Sequence, residues 1–522
     1  MAIEQSHGPK PEVADRAQEP EAASSAEGLR VQAEVATTPR TALLAKPTLA
    51  ALLVALAALV SEHVPELGLL RLYSSPPSSD SAEPSAPLDP GASSRVGEAE
   101  LTTESKNRDE MAQPEAIDLA RPAGGPIAKE AGPALPAVAS EAPPVPLEDA
   151  SGHALDGFFA ALRRTQAKER GAITRIAHFG DSIVVSDYVS GTLRRKFQQE
   201  FGDAGHGYML IANAWPAYFH NDVYRYASPG WKVSRIVGPY NQDGWYGLGG
   251  VSFQAPPGAR GRFGSAKKGS FGRAVSKFTF SYLEDAHSGG FAINLDGAPL
   301  RHVSAKAPEK RVGYATVEVP DGEHEIEVVT EGGTTRMFGV VLEREGPGVV
   351  LDALGVQGAR VRFLDKQDDA HWAEQLKWRQ PNLLVYQFGA NESGDGFAYP
   401  MDEYYKTMVA VLEQGKQALP ESSCLVLGAM DRASKKDDTL MSMRVIPMIV
   451  AEQRKAAKSV GCAFFDTFEA MKGLGGMPGW VRRGLGQADL THPTGVGSEI
   501  LARWIYRALM TGYNEYHPPR RP

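Results

Sequence analysis

The chain has 522 residues, 42% of them hydrophobic, and a formal net charge of −8. That is length enough for several domains and apolar material enough for a substantial core. The acidic balance, without any cluster of Lys and Arg, excludes nucleic acid as a main partner, because phosphate binding needs concentrated positive charge.

Residues 1–40 are polar and lack an apolar period, which predicts a disordered N-terminal extension. Residues 41–62 hold an apolar run from Leu49 to Val60, with Arg40 and Lys46 ahead of it. Its length lies between a signal-peptide core and a spanning helix of roughly 20 residues. Positive residues on the N-terminal side favour a cytoplasmic N-terminus and an exported remainder. No small-x-small cleavage site follows Val60, so a retained anchor is favoured over a cleaved signal. The expectation is an exported protein of the periplasm or cell envelope, held to the inner membrane through this segment. Residues 71–150 are rich in Pro, Ser, Ala and Glu. They predict a disordered linker with a span of about 50 Å.

Helical spacing of Leu155, Phe158, Phe159 and Leu162 opens the folded part. Ile173 to Phe179 reads as a short strand, Gly180-Asp181-Ser182 as a turn, and Tyr188 to Phe201 as an amphipathic helix. A serine on such a turn has an exposed hydroxyl close to the backbone amides that start the next helix. His178, just ahead of it, reads as a satisfied core histidine. Further on, VVLDALGVQGARV places Gly358 after another strand. Leu383 to Phe388 is a continuous apolar strand that ends in Gly389-Ala390-Asn391-Glu392, and an Asn there can aim its amide at an oxyanion. Ser423–Leu427 and Ala463–Asp466 read as two more strands, with a helix over Met441–Val460 between them.

Near the C-terminus, Asp489 and His492 stand three apart in a loop, with a helix over Gly495 to Met510 behind them. This spacing lets the carboxylate receive one imidazole N–H while the other ring nitrogen faces a serine. Cys424 and Cys462 each sit in an apolar run and are expected as small core residues, with no disulfide framework. No metal-ligand spacing stands out, and no metal or cofactor is expected.

More than 140 residues separate the Ser182 turn from Gly358, and much of that stretch alternates with period two. Turns such as Asp296-Gly297 and Asp321-Gly322 break it up. The pattern predicts an inserted antiparallel β-sandwich over 214–347, hosted by a domain of residues 151–213 and 348–522. Within the insert, Trp245 and Tyr246 lie beside a Gly-rich loop. They could stack on a sugar or pack the insert against its host.

Gly180-Asp181-Ser182, Gly358, Gly389-Ala390-Asn391 and Asp489-x-x-His492 occur in the order of the four blocks of the SGNH (GDSL-like) hydrolases. The chain resembles that superfamily over about residues 170–510. The resemblance implies an α/β fold, a flavodoxin-like three-layer sandwich with a parallel sheet. It implies Ser182 as nucleophile, His492 as general base and Asp489 as the group that orients it. The Ser182 and Gly358 amides and the Asn391 side chain would form the oxyanion hole. The insert, the stretch FGDAGHGYMLIAN and Gly-x-Asn-Glu at 389–392 are similar to bacterial peptidoglycan O-acetylesterases, whose insert resembles a family 35 carbohydrate-binding module. Ile183 departs from that pattern, in which a His often follows the serine. The implied activity is a serine carbohydrate esterase that removes O-acetyl groups from peptidoglycan or another envelope polysaccharide. An O-acetyltransferase with the same triad and a non-catalytic glycan-binding protein are the alternatives.

Overall fold

The structure is a computed structural model that describes residues 142–518. The expected extension over 1–40, the apolar segment at 41–62 and the linker up to residue 141 lie outside the described residues. Among the described residues, no helix is long and apolar enough to cross a membrane.

A six-stranded sheet forms the centre. Its strands are β1 (Leu147–Glu148), β2 (Ile173–Gly180), β3 (Gly348–Gly355), β4 (Leu383–Gln387), β5 (Ser423–Leu427) and β6 (Ala463–Phe465). Their spatial order is β1-β6-β5-β4-β2-β3. All neighbours from β6 to β3 are parallel, and β1 pairs antiparallel with β6 at the edge. Leaving β1 aside, the parallel strands follow the 2-1-3-4-5 order of flavodoxin-like sheets, as the sequence implied. The presence of β1 corrects the linker boundary. Residues 142–150 belong to the described structure, because Leu147 and Glu148 complete the sheet edge opposite Phe465 and Phe464.

Strand periodicity explains the layers. In β4, Leu383 and Val385 join the apolar cluster of α1 (Asp156–Gln166), α2 (Tyr188–Phe201) and the C-terminal helix, represented by Phe158, Phe197 and Leu501. Leu384 and Tyr386 join the opposite cluster with Trp372, Leu376 and Met408. Those belong to α3 (Asp369–Arg379) and α4 (Met401–Ala418), and α5 (Ile446–Val460) packs on the same side through Ile446 and Ile449. A strand buried on both faces must be apolar throughout, which is why β4 and β5 show no polar alternation. The C-terminal helix, α6 (Gly495–Glu515), runs longer than expected. The helix expected from Met441 starts at Ile446 instead, with a proline in its first turn. Thr439–Ser442 pairs with Ala433–Lys436 in a hairpin whose tip, Asp437 and Asp438, has positive φ at both residues.

Between α2 and β3 the chain forms two antiparallel sheets that face each other. Phe263 and Phe291 of the five-stranded sheet meet Phe280 and Tyr282 of the larger one. The insert is therefore a β-sandwich, but it starts ahead of residue 214. Gly207–Met209 already pairs with strand Thr335–Glu343. Asp296-Gly297 makes the expected hairpin turn, both residues having positive φ. Asp321-Gly322 does not, being the end of strand Arg311–Gly322. Arg379 on α3 ties insert to host. Its guanidinium binds Asp352 of β3 at 2.7 and 2.9 Å and Glu343, the last residue of the insert's final strand, at 2.5 Å.

Cys424 and Cys462 form a disulfide, contrary to the expectation of two separate core residues. Cys424 is the second residue of β5 and Cys462 immediately precedes β6. Parallel pairing of these strands, Leu425 opposite Ala463, puts the two cysteines side by side, a proximity that their sequence separation of 38 conceals. Replacing both with Ala is expected to lower the unfolding free energy by about 2–4 kcal/mol, because the closed loop limits the unfolded chain. Urea unfolding of the two proteins measures this, and equal midpoints would show that the bridge adds nothing.

Candidate active site

The catalytic candidates converge on one edge of the central sheet, where the parallel strands end. Ser182 follows β2, at the point where the chain turns first to β3 on one side and then to β4 on the other. Ligand sites in open α/β sheets form at this kind of crevice. Ser182 opens a single helical turn to Val185, and the Asp181 carboxylate caps it by accepting the Ile183 N–H at 3.1 Å. The turn is tight against its neighbour strand. A Cβ on Gly355, the last residue of β3, would lie 2.4 Å from the Val185 nitrogen, so only glycine fits there.

The loop after the Gly476–Arg482 helix brings in the other two residues. His492 Nε2 lies 2.7 Å from Ser182 Oγ, and His492 Nδ1 lies 2.5 Å from Asp489 Oδ2. With the ring proton on Nδ1 and donated to Asp489, Nε2 accepts the serine hydroxyl. The second carboxylate oxygen of Asp489 accepts the backbone N–H groups of Thr491 and His492, each at 2.9 Å. Partial desolvation works against the Asp489 charge, but the hydrogen bonds from the His492 ring and these two amides outweigh it. They hold the carboxyl at about 2. The geometry gives an oriented imidazole between a fixed carboxylate and a hydroxyl, the arrangement that nucleophilic acyl transfer requires.

Asn391 follows β4, and its side-chain amide donates to the Ala359 carbonyl at 2.8 Å. That places it against the turn that contains Gly358, whose φ of +78° suits glycine. The space a Gly358 side chain would occupy is open. Asn391 and the Gly358 turn are thus brought together, as the four-block order implied.

Trp245 and Tyr246 go elsewhere. The Trp245 ring stacks on His371 of α3 with centroids 4.2 Å apart, and Lys310 Nζ sits 3.8 Å from its centroid. Tyr246 is fully buried; its hydroxyl accepts the Asn241 N–H and its carbonyl meets His371 Nε2 and Gln375 Nε2. These contacts join the insert to its host and leave no Tyr246 face for a sugar, so the packing reading replaces the stacking one. His178 is a core residue, bonded through Nε2 to Gln387, and burial lowers it to about 4.

Two neighbours of the candidate site were given no role by the sequence reading, although Glu392 lies in its Gly-x-Asn-Glu stretch. Glu392, fully buried, accepts the Val361 N–H at 2.8 Å and the Gly389 N–H at 3.1 Å, bracing the Gly358 and Asn391 loops. Burial pushes it up to about 7, and nearby Asp181 is pushed up to about 6 for the same reason. The folded chain therefore holds these protons more tightly than the unfolded chain. The Glu392 contribution to stability is present below about pH 4.5 and is lost as pH rises to about 7. Glu392→Gln should make this fall shallower without abolishing it, since Asp181 contributes with the same sign. Urea unfolding across pH 4–8 provides the check, and an unchanged slope would remove Glu392 from the account. Arg432 is the other neighbour. It links the Asn391 turn to Thr491, and nothing in its local sequence marks it.

No family model and no curated protein matches the sequence. Among solved structures, one described as "Peptidoglycan O-acetylesterase in action" aligns with a TM-score of 0.61 at 19% identity. It covers 71% of this chain and 99% of that one. A family two carbohydrate esterase from Cellvibrio japonicus aligns at 12% identity over 56% of this chain and 98% of its own, with a TM-score of 0.24. An acetylxylan esterase from Geobacillus stearothermophilus aligns at 20% identity over 31% and 73%, also at 0.24. The described part of the chain thus resembles in fold the solved structure described as a peptidoglycan O-acetylesterase.

Proposed function

We propose that the protein is a serine carbohydrate esterase that removes O-acetyl groups from peptidoglycan or another cell-envelope polysaccharide. The observation that carries this reading is the relay Asp489–His492–Ser182, closed by contacts of 2.5 and 2.7 Å across 310 residues of sequence. Ser182 attacks the acetyl carbonyl while His492 Nε2 takes its proton. The tetrahedral oxyanion is met by the Ser182 and Gly358 amides and the Asn391 side chain. His492 returns the proton to the sugar oxygen as it leaves. A water, deprotonated by His492, then attacks the acetyl-enzyme and releases acetate. Every proton in the cycle passes through His492, and the chain's own residues account for each step.

The likeness in fold to a peptidoglycan O-acetylesterase favours an acetylated glycan as substrate. The buried disulfide favours an oxidising compartment, in keeping with export through the segment at 41–62 and tethering to the membrane. Acetate release by the full chain from O-acetylated peptidoglycan, with acetylated xylan and a small acetyl ester alongside, tests the reading. Release from peptidoglycan above the other two is expected. No release from any of the three would overturn it.

A further inference from the structure

We propose that Arg432 is a positioning residue that holds the oxyanion loop and the acid–base loop in register. The proposal rests on the esterase reading and extends it to a residue outside the four sequence blocks. Arg432 lies in the loop after β5, on the same sheet edge as Ser182 and Asn391, and is half-buried. Its Nη1 donates to the Ala390 carbonyl at 2.6 Å and to Ser393 Oγ at 2.7 Å. Ser393 Oγ itself donates to the Ala390 carbonyl at 2.7 Å, so the turn that presents Asn391 is gripped on both sides. On its other flank, Arg432 Nε donates to Thr491 Oγ1 at 3.1 Å. The Thr491 backbone N–H in turn binds Asp489 Oδ1.

The backbone around Arg432 reinforces the link. The next residue, Ala433, donates its N–H to the carbonyl of Leu490, between the two relay residues, at 2.9 Å. The preceding residue, Asp431, is buried and accepts Ser442 Oγ and the Met477 N–H. The Met443 N–H closes the hairpin base on the Arg432 carbonyl at 2.7 Å. The guanidinium thus projects from a fixed point and bridges loops that lie 100 residues apart in sequence.

Such a bridge matters for this chemistry. In the transition state, negative charge grows at the oxyanion beside Asn391 while positive charge grows on His492. The distance between these two sites must suit both at once, and an error near 1 Å costs about 10²-fold in rate. A planar guanidinium offers separate donors in a fixed fork, whereas a lysine ammonium is a single point and cannot reach both loops. The role acts on the transition state and not on substrate capture, so its loss should appear in kcat with KM unchanged.

The experiment compares the full-length wild type with Arg432→Ala and Arg432→Lys. Its readouts are turnover of a small acetyl ester and the rate at which a fluorophosphonate labels Ser182. Labelling needs the nucleophile, the base and the oxyanion site, but no particular natural substrate. Arg432→Ala should lower kcat and the labelling rate by about 10²-fold at unchanged KM. Arg432→Lys should recover little of either, and free guanidinium should restore part of the loss in Arg432→Ala. Wild-type rates in either variant would overturn the proposal. A loss that follows the melting temperature and resists guanidinium would also overturn it, because it would mark a structural role. Should Arg432→Ala not fold, Arg432→Lys still decides, since wild-type activity there removes the need for a fork. A wild type that labels at Ser182 but releases no acetate would sink the proposed substrate and leave the Arg432 comparison standing.

Discussion

Ser182→Ala is expected to lower kcat on small acetyl esters by about 10⁴–10⁶-fold while leaving the melting temperature near that of the wild type. The size follows from the role. In the proposed mechanism Ser182 is the atom source of the acyl-enzyme, so its removal leaves no covalent route, and only the proposed oxyanion donors and substrate binding persist. The small effect on folding follows from the position. The hydroxyl's contact is with the ring of His492, which remains partly exposed, and the turn itself is capped by Asp181. Steady-state kinetics with a calorimetric scan of the same samples separates the two quantities. A variant that retains more than a few per cent of activity would show that another group is the nucleophile.

The relay was legible in the sequence because its parts are local. Asp489 and His492 sit three residues apart, and Ser182 ends an apolar strand, so a single turn or loop places each. The strands were legible for a similar reason. β4 and β5 are continuous apolar runs, and a period-two stretch between them and Ser182 could only be a separate antiparallel unit. What escaped the reading depends on contacts between distant segments. The Cys424–Cys462 bridge exists because β5 and β6 are neighbours, a matter of strand order that neither cysteine's surroundings disclose. For Tyr246 the sequence left sugar stacking and packing both open, and contact with α3, which buries it completely, decides for packing. Arg432 reaches the Ala390 carbonyl and Thr491, and Glu392 the Val361 N–H, all in segments distant in sequence, so neither contact can be read from the residues around it. The helix expected from Met441 overran the last two residues of the hairpin, Met441 and Ser442, because strands of four residues are too short for a clear period.

Asp489→Asn should lower kcat by about 10⁴-fold, and His492→Ala should cost at least as much. In the proposed mechanism the imidazole performs every proton transfer, so its loss removes the base outright. The carboxylate acts on the imidazole, fixing the Nδ1–H tautomer and stabilising the ring as it charges. An Asn at 489 can still occupy the loop and accept the Thr491 and His492 amides through its carbonyl oxygen. Its NH₂ would then face Nδ1, which favours the tautomer with the proton on Nε2, where it blocks the approach of the serine proton. The pH behaviour of the carboxyl sharpens the test. Because the wild-type group is held at about 2, it stays ionised through the acid range in which activity is measured. Its stabilising contribution to the fold is present above the ordinary Asp value of 3.8 and is lost only as pH falls to about 2. Any loss of activity between pH 4 and 7 therefore belongs to another group, and Asp489→Asn should be slow at every pH in that range instead of only at its acid end. Initial rates of the three proteins across pH 4–9 measure this directly. An Asp489→Asn rate above one tenth of wild type, or a greater loss than in His492→Ala, would show that the carboxylate does not serve the imidazole in this way.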